Sequence, residues 1–66
     1  MGENLMDGLM DELNRNRELL KEYQKIPTGM FGAAFIKNDI EMGEKAIREG
    51  DTVEMVKAYA RLKENK

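Results

Sequence analysis

Sixty-six residues with no cysteine, no histidine and a net charge of −2 exclude a good deal. A chain this short makes one small domain and buries only about 60% of the surface its unfolded form exposes. Neither a disulfide nor a Cys/His zinc site can support so small a core, and the near-balanced charge argues against broad nucleic-acid binding.

Association with a second chain is the remaining common support, so a homo-oligomer, with a dimer favoured, is the expected partnership. Another protein is the second candidate partner. Without His or Cys, nucleophilic triads in their usual forms are ruled out. Metal-ligand spacing is missing too, so no enzyme, cofactor or metal is expected. No apolar run approaches the ~18 residues of a membrane span. MGENLMDG lacks the layout of a secretion signal, and Met6 stands where N-myristoylation wants Ser or Thr. A soluble cytoplasmic protein is the expectation.

In chain order, Asn4 reads as an N-cap with Asp7 in the first turn. Met6, Leu9, Leu13, Leu20 and Tyr23 then recur at helical spacing, with Leu5 and Leu19 on the flank. Asn16 sits near the centre of this stripe and Arg17 at its edge. Ile26-Pro27-Thr28-Gly29 ends the helix, because the residue before proline avoids helical angles. Thr28 is the expected cap of the next helix. So short a break implies an antiparallel hairpin, in which positions with numbers summing to about 56 lie level. Leu13 then meets Gly43, Tyr23 meets Ala33, and Arg17 meets Asp39.

The central helix, FGAAFIKNDIEMGEKAIRE, has an apolar face roughly half its circumference wide. Phe31, Phe35, Met42 and Ala46 form one side of that face, and Ile36, Ile40 and Ile47 the other. A neighbour on each side is therefore expected. Asp39 lies within the face and needs a partner if buried. Arg17 and Asn16 are the expected partners, in a buried polar pair flanked by Gly32 and Gly43. That pair either locks the hairpin or floors a small ligand site. Outside, Asp11–Arg15, Glu41–Lys45 and Glu44–Arg48 are well-oriented i,i+4 pairs.

Gly50 suits the left-handed position that closes a helix, and Asp51 with Glu54 resembles a capping box that opens the next. The third helix carries Val53, Met55, Val56, Tyr59, Ala60 and Leu62. Helices are thus expected over about 5–26, 30–49 and 52–64, in a single domain of residues 1–66. The fold class is all-α: an antiparallel helical hairpin plus a shorter third helix, completed by oligomerisation. Leu5, Met10, Leu19, Met55 and Leu62 exceed what three short helices can cover, and they form the expected association surface.

Three local patterns carry resemblances. Gly29-Met30-Phe31-Gly32 has the G-x-x-G spacing of the KH RNA-binding loop, with an apolar middle pair and no strands around it. Ala46, Gly50, Val56 and Tyr59 loosely resemble a helix-turn-helix, which implies a nucleic-acid accessory role for helix 52–64 with Lys57, Arg61, Lys63 and Lys66 on phosphates. The same segment resembles half of a tetratricopeptide repeat, without a second copy. An interaction or structural module that self-associates is the leading functional expectation, and the nucleic-acid role is the alternative.

Overall fold

In the computed structural model, which describes residues 4–66, Asn4 opens the first helix by accepting a hydrogen bond from the Asp7 amide at 2.8 Å. The Met-Gly start lies outside the described residues. Helix α1 runs Leu5–Gln24 without interruption at Gly8, and it stops two residues short of the expected end. Pro27–Gly29 form one 3₁₀ turn. Helix α2 follows directly over Met30–Glu49, and α3 covers Thr52–Glu64. All three helices touch one another, and no strand occurs among the described residues. The all-α three-helix unit expected from periodicity is the observed architecture.

Both helix junctions follow from local chemistry, though not alike. Gly50 adopts φ 66°, ψ 28°, a left-handed conformation open to glycine at little cost. Asp51 then accepts from the Glu54 amide at 3.1 Å and caps α3. Replacing Asp51 with alanine should lower stability by roughly 0.5–2 kcal/mol. An unchanged urea midpoint for that variant would show the cap to be dispensable. At the first junction Thr28 does not cap α2. The 3₁₀ turn places Gly29 at the N-cap position with no side-chain hydrogen bond. A Cβ on Gly29 would stand 2.6 Å from the Tyr23 carbonyl oxygen, so only glycine lets the turn fold back this tightly.

The hairpin register is the expected one. A Cβ on Gly43 would lie 3.0 Å from Leu13, and one on Gly32 would meet the Tyr23 ring at 2.5 Å. The two glycines of the central helix are thus filled from α1. At Gly32 and Gly43 the two helices are therefore in direct contact. Around this seam the core gathers Leu9 and Leu13 of α1, Ile36, Ile40 and Ala46 of α2, and Met55, Ala58 and Leu62 of α3.

Two expectations about helix faces are corrected here. Met55 and Leu62 are buried, at 7% and 0% exposure, and do not belong to an association surface. The third helix turns its Met55–Ala58–Leu62 side inward because Ala58, itself fully buried, lets the helix approach closely. Val53 and Val56 face outward instead. The second correction concerns the aromatic residues of α2. Phe31 is 84% exposed and Phe35 64%, although both lie on the half-wide apolar face. Length accounts for this. The end of α3 reaches only the level of Asp39, where Asn65 bonds that carboxylate. The stretch from Met30 to Asn38 therefore projects about 13 Å beyond it, at 1.5 Å per residue.

Candidate association surface and polar junction

The buried polar residues expected from sequence are real, but their partners differ. Asn16 is fully buried and Asp39 is 5% exposed. Asp39 does not meet Arg17. Its carboxylate accepts from Arg61 Nε at 2.9 Å and from Asn65 Nδ2 at 3.1 Å, both supplied by the end of α3. Arg17 instead pairs with Glu44 at 2.8 Å on the half-exposed flank of the hairpin. Arg17 thus turns to the outer flank, because the α1–α2 seam is occupied by Leu13, Gly43 and Tyr23.

Asn16 joins this junction at one remove. Its amide nitrogen donates to the Glu12 carbonyl at 2.8 Å and to the Leu62 carbonyl at 3.1 Å. Its oxygen accepts from Asn65 Nδ2 at 2.9 Å, so Asn65 bridges Asn16 and Asp39. Arg15 adds a 2.8 Å bond to the Leu62 carbonyl. The last carbonyls of a helix have no intrahelical partner, and here two side chains of α1 serve one of them. Among the described residues no buried side-chain nitrogen or oxygen lacks a hydrogen-bond partner. A satisfied network of this kind fastens α3 to the hairpin. Asn65 was not singled out from sequence, and Arg15 and Arg61 were expected elsewhere, at Asp11 and on phosphates. The signal for Arg61 and Asn65 is the inward face of α3, since both flank the Met55–Leu62 line on the side toward α2.

The remaining ion pairs also depart from expectation. Arg15 bonds Glu12 rather than Asp11, and Glu44 is taken by Arg17 rather than Arg48. Along α3 the bases are held locally. Lys57 pairs with Glu54 at 3.3 Å, Arg61 serves Asp39, and Lys63 lies 5.6 Å from the centre of the Tyr59 ring. They do not form a single basic strip.

Of the residues expected at an association surface, Met10 is exposed, while Leu5 and Leu19 are partly buried against the core. The larger apolar exposure is on α2. Phe31 and Phe35 stand one turn apart on the shoulder toward α3, and Met30 at its start is also exposed. Two concavities flank this shoulder. A small one of about 270 Å³ is lined by Phe35, Asp39, Arg61, Glu64 and Asn65. A larger open groove of about 560 Å³ runs between the second half of α2 and the start of α3, past Asn38, Met42, Lys45 and Ala46. Its rim is acidic, with Glu41, Glu49, Asp51 and Glu54.

Among the described residues no group of three or more His, Cys, Asp or Glu side chains is arranged to hold a metal ion. No helix there is long and apolar enough to cross a membrane. Comparison with family models, with curated proteins and with solved structures finds no match for this chain.

Proposed function

We propose that this protein is a small helical interaction module that works as a self-associated dimer, joined through the aromatic shoulder of α2. One observation carries the reading: Phe31 and Phe35 are mostly in water on the same side of one helix. Burying a phenylalanine side chain is worth roughly 1.5–3 kcal/mol. A domain this small, without disulfide or metal, gains more from that burial than a larger one would. The two rings offer on the order of 300 Å² between them. That is a substantial part of the ~800 Å² each partner contributes to a standard interface. Met30 and the neighbouring part of the groove extend it.

A second copy fits this surface because the chain is close to neutral, at −2, so two copies meet with little repulsion. Two-fold homodimers are also the commonest closed assembly of soluble chains. The absence of cysteine fits a reducing compartment, and we place the dimer in the cytoplasm.

Size-exclusion chromatography with light scattering at micromolar concentration should give twice the chain mass of 7.6 kDa. Phe31→Glu and Phe35→Glu should each return the protein to a monomer without loss of helix content, since neither ring belongs to the core. A wild-type monomer throughout the range, or a dimer indifferent to both changes, defeats the proposal.

A further inference from the structure

The exposed side of α2 reads as a seam with a direction. Phe31, Phe35, Asn38, Met42, Lys45 and Glu49 follow one another at alternating steps of four and three residues. That 3.5-residue repeat is the one along which two helices pack. The seam is apolar toward the start of α2 and charged toward its end. Phe31, Phe35, Asn38, Lys45 and Glu49 are exposed, and Met42 is partly so.

We infer that two copies of this chain pack α2 against α2 in antiparallel orientation, each placing its Phe31 over the other's groove beside Met42. The inference rests on the self-association proposed above and adds its orientation. Three observations on α2 select it. A parallel pair would set Lys45 against Lys45 and Glu49 against Glu49, and like charges across a seam are unfavourable. An antiparallel pair, with its two-fold axis between the levels of Ile36 and Lys37, sets Phe31 against the partner's Met42 instead, a favourable sulfur–aromatic contact. It also sets Phe35 against the partner's Asn38.

The second observation is the groove. It begins at Asn38 and Met42, at the level the partner's aromatic side chains reach. The third is charge. The rim of that groove carries Glu41, Glu49, Asp51 and Glu54, with Lys45 beside them and Lys57 paired to Glu54. The start of α2 has no side-chain cap and no acidic residue in its first turn. This end carries the positive pole of the helix dipole, equivalent to about half a charge. Antiparallel packing brings this end of one copy toward the acidic rim of the other. Parallel packing brings acid to acid.

The chain has no cysteine, so a single introduced thiol can be labelled selectively. Arg48 is exposed and lies off the seam, and Arg48→Cys can carry a nitroxide. In the antiparallel dimer the two labels stand about 35 Å apart along the helices, at 1.5 Å per residue. In a parallel dimer they stand within roughly 25 Å, since packed helices lie 8–10 Å apart. Pulsed dipolar spectroscopy should give a dominant distance of about 35 Å or more. Glu49→Lys should weaken the dimer several-fold by removing an acid from the rim. A short label distance in a dimer that Phe31→Glu dissociates overturns the antiparallel orientation and leaves self-association standing. A tighter or unchanged dimer with Glu49→Lys counts against the charge argument. A labelled protein that stays monomeric overturns both readings, and the seam then belongs to a different protein partner.

Discussion

Leu62→Ala should cost about 3–5 kcal/mol, the upper part of the range for truncating a buried leucine. Leu62 is fully buried and sits where all three helices meet. Its side chain lies near Gly43 of α2, and its carbonyl receives Asn16 and Arg15 of α1. The neighbours cannot close on the cavity easily, because Asn16 is held by three hydrogen bonds and α3 by the junction that follows. A single core of this size rarely supplies more than about 3–5 kcal/mol. The variant should therefore be largely unfolded as an isolated chain, with weak helical circular dichroism and no cooperative urea transition. A transition midpoint near that of the parent would place Leu62 outside the core.

The second large effect is expected at Arg61. Arg61→Met removes the counter-charge of a buried carboxylate, leaving Asp39 with the Asn65 amide alone. Breaking a buried pair from one side costs about 3–5 kcal/mol. The half-exposed position of Arg61 and the surviving amide bond reduce this to roughly 1–3 kcal/mol. The reverse change, Asp39→Leu, should cost less, because Arg61 is half-exposed and water can take over its charge. Arg17→Met makes the control. Its pair with Glu44 is 40% and 42% exposed, so the loss should stay below about 1 kcal/mol. Urea denaturation of the three variants tests the ranking. If Arg17→Met proves the costliest, the junction has been assigned to the wrong arginine.

These two sites also show which parts of the structure local sequence determines. Pro27 and the Gly50–Asp51 pair act on the backbone next to them, so the helix breaks could be placed from residues alone. The hairpin register could be read as well, because a short turn leaves little freedom and Gly43 has to meet something large. Asp39 stood out as a carboxylate inside an apolar face, and it is buried. Its true partner was hidden because α3 offers apolar residues on two sides. Val53 and Val56 compete with Met55 and Leu62, and hydrophobicity does not choose between them. The choice falls to Ala58, whose small side chain matters only once another helix is pressed against it. Arg61 and Asn65 take their places from that choice. The exposure of Phe31 and Phe35 was concealed by a related gap: periodicity says which side is apolar, not how far a neighbour extends along it.

The junction of Asn16, Asn65 and Asp39 also bears on handedness. A third helix can lie against either flank of a helical hairpin, giving two bundles of opposite turn, and apolar side chains alone stabilise both. Only one flank lets Asn65 reach Asn16 on α1 and Asp39 on α2 together. On the other flank α3 would meet Arg17 and Glu44, which already satisfy each other, and would leave Asn16 and Asp39 open to water with no bond to α3. The amides and carboxylate therefore favour the observed bundle through bonds that the mirror-related topology cannot make. Replacing them with well-packed leucines would preserve much of the stability and remove the term that tells the two bundles apart.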